Sequence, residues 1–280
     1  MHITPSGQSH GATVTGLNLA APLAPAIVAA LRQAWLEHGV LAFPEQDLTD
    51  DDLERFTTYF GGFGQDPFIA PIAGRKHVIA VQRNKDETAS IFAEGWHTDW
   101  SFQVAPPAGT CLYAITIPPR GGNTLFVNQR LALAAMPAAL RQELTGKRAL
   151  HSARVAYSPA GMYGKGDKAS GRSMKIIANE TAMVVQAHPI IRPHPETGIE
   201  ELYGCLGYIV GIEGMEDAAA LDLLKRLHAW QTRAEFQYDH QWQANMLVMW
   251  DNRSELHRAT GGYEGYDRLL HRTTIAAYAG

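Results

Sequence analysis

Four short apolar runs limit what this chain can fold into: GTCLYAITIP (109–118), NTLFVN (123–128), MLVMWDN (246–252) and LLHRTTIAAY (269–278). Each has the length of a strand and carries β-branched or aromatic residues, and the first three are bounded by Gly, Pro or Asn. Short strands separated by turn signals predict a β-sandwich or barrel. Two helical stretches interrupt them. NQRLALAAMPAALRQEL (128–144) contains Pro137, which breaks or restarts the helix, and DAAALDLLKRLHAWQT (217–232) runs without a break.

The first third alternates differently. ATVTGLNL (12–19) reads as a strand, APAIVAALRQAWLEHG (24–39) as a helix stopped by Gly39, and VLAFP (40–44) as a buried strand ended by proline. Thr49 precedes three aspartates and predicts an N-cap, because acids in a first helical turn complement the helix dipole. GGFGQDPFIAPIAGRK (61–76) reads as loop, and HVIAVQRN (77–84) as a strand. Neither a repeat nor a dividing linker is visible. We read residues 1–280 as a single domain of the α+β class, mainly β.

Charge and composition exclude several partners. A formal net charge of −4 and a pI near 6.3 give no electrostatic footprint for nucleic acid. No apolar run is long enough for a membrane span, and the N-terminus lacks the basic-then-apolar pattern of a signal peptide. Cys111 and Cys205 form no paired motif, so a reducing cytoplasm is the expected compartment. A homo-oligomer, dimer or tetramer, is compatible with this composition.

Residues 157–187 stand apart. YSPAGMYGKGDKASGRSMK, which opens this stretch, carries glycines at 161, 164, 166 and 171 and four cations against one acid. Long loops of this kind are solvated insertions or mobile lids, and we expect a lid.

The chemistry concentrates in EGWHTDWSF (94–102). If this is a strand, His97 and Asp99 share a face and offer an imidazole and a carboxylate to one metal ion. A third ligand is expected at His257, which follows the apolar strand and turn MLVMWDNRSEL. Two histidines and one carboxylate leave coordination positions open, as Fe(II) oxygen chemistry requires, whereas a structural zinc site is closed by four ligands. Beyond His257, Arg268 and Arg272 would share one face of a strand with Leu270, and inward guanidiniums imply bound anions. His188 and His194, in HPIIRPHP, read as turn residues with a structural role.

At these residues the sequence resembles the Fe(II)/2-oxoglutarate-dependent dioxygenases of the taurine dioxygenase type. The resemblance runs through GATVTGLNLAAPL, HGVLAFPEQDLT, WHTDWSF, PPRGGNTLFVN, HPIIRPHPETG, WDNRSELHRA and RLLHRTT, nearly the whole chain. It implies a double-stranded β-helix, or jelly-roll, with flanking helices. It also implies that His97, Asp99 and His257 hold iron, and that Arg268, assisted by Thr124, binds the distal carboxylate of 2-oxoglutarate. Arg272 would hold an anionic group of the primary substrate. Iron and 2-oxoglutarate would together activate O2 to hydroxylate a C–H bond, with release of succinate and CO2.

The substrate is a small molecule, expected to be anionic or zwitterionic. Asp66 falls where taurine-specific enzymes have a sulfonate-binding histidine, Ala93 where they have asparagine, and Trp100 where they have a small aliphatic residue. Phe102 and Tyr208 keep aromatic character at pocket positions. Asp66 either lines the pocket or is exposed in a turn. Oxidative cleavage of a sulfonate or sulfate ester is the nearest alternative. A cupin-like isomerase or lyase using the same ligands, without 2-oxoglutarate, is a more distant one.

Overall fold

The computed structural model describes residues 1–167 and 171–277. The chain begins with β1 (His2–Pro5), β2 (Ala12–Thr15), α1 (Pro25–His38), β3 (Val40–Phe43), α2 (Asp50–Thr58), β4 (Ile79–Arg83) and β5 (Gly109–Thr116). It continues through β6 (Thr124–Asn128), α3 (Gln129–Ala134), α4 (Ala138–Leu144), β7 (Arg148–Ser152), α5 (Arg154–Tyr157), β8 (Val185–Pro189), β9 (Ile191–Pro193) and β10 (Glu200–Leu202). The last elements are β11 (Ile209–Ile212), α6 (Asp217–Gln231), β12 (Gln237–His240), β13 (Leu247–Asp251), β14 (Glu255–Ala259) and β15 (Arg268–Ile275).

Local chemistry sets the helix ends as the sequence implies. Pro25 opens α1, and Gly39, at φ 72°, closes it with its N–H on the Trp35 carbonyl. Thr49 and Asp52 form a reciprocal capping box at α2, which satisfies two amides that the helix itself leaves free. Pro137 separates α3 from α4.

Seven strands form the main sheet, in the order β1-β2-β3-β13-β5-β15-β4. Its pairs are antiparallel except β2 with β3. Two three-stranded sheets, β12-β6-β14 and β11-β7-β8, and the β9–β10 pair complete the strands.

Side-chain alternation then builds layers. Leu247 and Met249 of β13 pack with Trp35, Phe43 and Phe56 on the α1–α2 side. Val248 and Trp250 point the other way, into a cluster with Leu112, Leu270, Phe126 and Tyr238. Phe126 and Tyr238 belong to the β12-β6-β14 sheet, so this cluster is the core between two sheets. On the far side of β6, Val127 packs with Leu133, Leu223 and Leu227 of α3 and α6. The order of layers is helices, sheet, sheet, helices. Among the described residues no helix is long and apolar enough to cross a membrane.

Three expectations need correction. The 94–102 segment is not a strand: His97 makes one isolated bridge to His257, Asp99 begins a turn, and Trp100 takes a left-handed φ of 51°. HPIIRPHP is turn only at its end: it contains the end of β8 and all of β9, each ending on a proline, and His194 then opens the turn to β10, its Nδ1 accepting from the Glu196 and Thr197 amides at 3.2 Å each. The 157–187 segment is also less bare than its glycines and lysines imply. Tyr157, Tyr163, Met174 and Ala182 are buried in one cluster with Phe68, Trp100 and Tyr208, while residues 168–170 lie outside the described residues.

Candidate active site

His257 sits on β14 opposite Phe126 of β6, so alternation turns its ring into the space between the sheets. The His97 amide donates to the His257 carbonyl at 3.0 Å, and the return bond is 2.7 Å. This reciprocal bridge brings the two ring centroids to 4.2 Å. Asp99 Oδ1 lies 3.8 Å from the Nε2 of each histidine. All three ligand atoms fall within 4.8 Å of one another, and all three residues are buried. One ion at the about 2.0–2.2 Å typical of imidazole and carboxylate ligands could be shared by them.

The surroundings set the protonation this requires. His97 Nδ1 is 2.9 Å from the Gly95 carbonyl, which fixes the proton there and leaves the Nε2 lone pair free. Burial pushes the His97 imidazole down against the pull of Asp99, and pushes His257 down to about 3. Burial alone would raise Asp99, but Arg272 and then the two imidazoles overcome it and hold the carboxyl below its usual range. The set is therefore two neutral imidazoles and one carboxylate, the donors that a divalent metal takes. Asp99 is held by the Thr110 hydroxyl at 2.6 Å, and Thr110 in turn accepts from Asn252 at 2.8 Å. Asn252 accepts from the Trp250 indole at 2.9 Å. Sequence reasoning missed this chain of supports.

Arg268, Leu270 and Arg272 share the inward face of β15, as their spacing predicts, and all three are buried. Their electrostatics differ. Arg272 Nη1 approaches Asp99 at 3.4 Å, its Nη2 bonds to Asp66, and its guanidinium lies 5.2 Å from the Trp100 ring centre. No acid within ion-pair distance of Arg268 is found among the described residues. Its Nη2 donates to the Gly122 carbonyl at 3.3 Å, and its Nε is buried without a partner. Burial lowers its pKa accordingly.

Gly122 is presented by a close approach of two glycine loops. Gly121 has φ 66°, and a Cβ there would sit 2.6 Å from the Gly261 carbonyl oxygen. Two residues along, the Thr124 hydroxyl accepts from the Trp242 indole at 3.0 Å, which leaves its own O–H to donate. A cavity of about 260 Å³ opens at Arg268 beside Tyr263, Glu87 and Phe92.

A larger cavity of about 540 Å³ is lined by His97, Asp99 and Arg272, with Trp96, Trp100, Tyr157, Tyr163 and Tyr208 among its walls and Phe92 common to both cavities. Two sequence expectations are corrected here. Phe102 does not line this cavity; it packs edge-on against Tyr208 at 5.0 Å and lines a separate open cleft. Asp66 neither lines this cavity nor hangs in solvent, because the Arg272 guanidinium and the Trp100 indole, at 3.0 Å, draw it inward. The lining aromatics Tyr157 and Tyr163 were missed, although two tyrosines among the glycines of YSPAGMYG were a signal for them.

Comparison with known proteins agrees with this geometry. The family model described as "Taurine catabolism dioxygenase TauD, TfdA family" matches residues 2–274, and the chain belongs to that family. It is 33% identical over 270 residues to an (S)-phenoxypropionate/alpha-ketoglutarate-dioxygenase of Delftia acidovorans, covering 92% of this chain and 89% of that one. It is 30% identical over 271 residues to an alkylsulfatase of Acinetobacter baylyi, covering 95% and 82%. A solved structure of AAD-2 in complex with Mn(II) and N-oxalylglycine superposes with a TM-score of 0.82 at 25% identity, covering 99% of this chain and 98% of that one. The protein is thus an α-ketoglutarate-dependent dioxygenase, an oxidoreductase using Fe(II), 2-oxoglutarate (α-ketoglutarate) and O2. The isomerase alternative falls with this membership.

Proposed function

We propose that this dioxygenase hydroxylates a small organic acid with a compact, apolar, ring-bearing body. In this reading His97, Asp99 and His257 hold Fe(II), and Arg268 with Thr124 holds the distal carboxylate of 2-oxoglutarate. The bound iron and 2-oxoglutarate supply the oxidising power for C–H hydroxylation. The residues of the chain orient and exclude. Trp100, Tyr157, Tyr163 and Tyr208 offer flat apolar walls to the substrate body and keep water from the reacting carbon. Thr110 and Arg272 hold Asp99 in place.

The observation that carries the reading is the buried, unneutralised Arg268 on the same strand face as Arg272, which contacts Asp99. A buried cation of this kind is costly unless an anion completes it, and a dicarboxylate co-substrate does so. The two facing sheets support a jelly-roll arrangement of a single domain. Tyr157, Met162 and Tyr163 line the larger cavity and support a cover over it, and two buried free cysteines suit a reducing compartment such as the cytoplasm. Self-association as a dimer or tetramer belongs to the same reading.

A second reading is oxidation of an alkyl sulfate, favoured by the likeness to the alkylsulfatase. Hydroxylation of the carbon bearing the ester oxygen would expel sulfate and leave an aldehyde. The test is aerobic incubation with Fe(II), 2-oxoglutarate and a panel of aryloxyalkanoic acids, alkyl sulfates and sulfonates, followed by mass spectrometry. Substrate-dependent succinate with an oxygenated product from the aryloxy acids is expected. Sulfate release from alkyl sulfates alone would transfer the assignment to the second reading, and no succinate with any member would refute both.

A further inference from the structure

Arg272 is the one lysine or arginine lining the larger cavity among the described residues. A guanidinium ordinarily recognises a carboxylate or sulfonate through two parallel N–H bonds. In Arg272 both terminal nitrogens are already engaged, Nη1 toward Asp99 at 3.4 Å and Nη2 on Asp66, and Nε is buried without a partner. The same Asp66 oxygen accepts from the Trp100 indole at 3.0 Å. One cation thus faces two carboxylates, and an incoming anion meets a guanidinium whose charge is already matched.

Asp66 is also placed to give way. It belongs to the irregular stretch between α2 and β4, its side chain is 8% exposed, and its neighbours Gln65 and Pro67 are exposed. Gln65 and Pro67 line a separate open cleft of about 1230 Å³. The carboxylate therefore holds Arg272 without itself lining the reaction pocket.

Resting on the function proposed above, we infer that Asp66 is a specificity-determining residue. It serves Arg272 as an internal counter-anion, and so sets how strongly the pocket takes an anionic group on its substrate. An anionic substrate must share or displace it, whereas the neutral analogue of the same body need not. The aromatic walls then carry more of the recognition than Arg272 does.

The test compares phenoxyacetate with its neutral amide, phenoxyacetamide, by calorimetry on protein loaded with Mn(II) and N-oxalylglycine. Asp66→Asn and Asp66→Ser both keep an acceptor for the Trp100 indole. In each, the preference for acid over amide should rise by about tenfold or more relative to the unmodified protein. The rise should vanish when Arg272→Gln is added. An acid-to-amide ratio that stays the same or moves toward the amide overturns the inference, as does undetectable acid binding by the Asp66→Asn protein. If neither replacement binds N-oxalylglycine, Asp66 is a structural strut and the inference falls. Failure of the unmodified protein to bind N-oxalylglycine with Mn(II) would instead refute the reading of the site itself.

Discussion

Arg268 donates to the carbonyl of Gly122 at 3.3 Å, and that is the hydrogen bond found for its guanidinium among the described residues. A full buried charge rests on one neutral acceptor and the face of Tyr263, 5.8 Å away. Arg268→Met should therefore raise the melting temperature of the protein without ligands, because it removes an uncompensated buried cation. The same change should weaken 2-oxoglutarate binding by about a hundredfold or more, as expected when a buried charge loses its partner. Thermal unfolding with and without 2-oxoglutarate and Mn(II) reads both effects. A lower melting temperature without ligands, or unchanged 2-oxoglutarate affinity, would contradict the assignment.

His97→Ala should abolish tight divalent-metal binding while leaving the far-ultraviolet circular dichroism of the protein unchanged. Its backbone bonds to His257 do not need the imidazole. Calorimetric titration with Mn(II) checks this, and affinity within about tenfold of the unmodified protein would remove His97 from the ligand set.

Gly121→Ala should act at a distance from the metal. The new methyl would meet the Gly261 carbonyl at 2.6 Å in a backbone of φ 66°, so the two glycine loops must part. A loss of about 1–3 kcal/mol is expected in urea unfolding, together with weaker 2-oxoglutarate binding, since Gly122 moves with them. Metal affinity should stay the same.

Acid should destabilise the fold through histidines that no ligand touches. Burial holds His240 at about 3, and burial with the nearby His188 and Arg192 holds His151 at about 3, against an ordinary 6.5. Below 6.5 the unfolded chain binds protons that the folded chain refuses, so stability is present above that pH, falls as pH drops, and stops falling near 3. Each residue contributes a slope of up to about 1.4 kcal/mol per pH unit within this window. His240→Leu should flatten the dependence of unfolding free energy between about pH 6 and about pH 4. An unaltered slope would show that His240 protonates in the folded state.

What the sequence made legible was what short spacing or strand period encodes. The inward pair Arg268 and Arg272, the N-cap at Thr49 and the break at Pro137 all follow from neighbours within a few positions. His257 was legible because a strand and turn of recognisable composition precede it. The Asp66–Arg272 pair was not, since 206 positions separate the two and the loop of Asp66 has no period to read. The shape of 94–102 was misjudged for a related reason. Alternation assumes extended backbone, and Trp100 leaves it, at φ 51°, held by Asp66 and by the aromatic cluster. The 157–187 segment misled through composition, because counting its glycines and lysines gave no weight to Tyr157 and Tyr163.

His257 rides on one sheet and Arg268 and Arg272 on the other, with Phe126, Trp250 and Leu270 between them. Phe126 and Trp250 meet across this gap with ring centres 5.5 Å apart, and each also touches the His257 ring. The apolar filling is thus a spacer whose thickness the chemistry reads directly. A smaller side chain there would leave a folded protein with every ligand residue intact and its two anchoring walls out of gauge. In this architecture the tolerance for change in the core is set by the machining of the site, well before it is set by the survival of the fold.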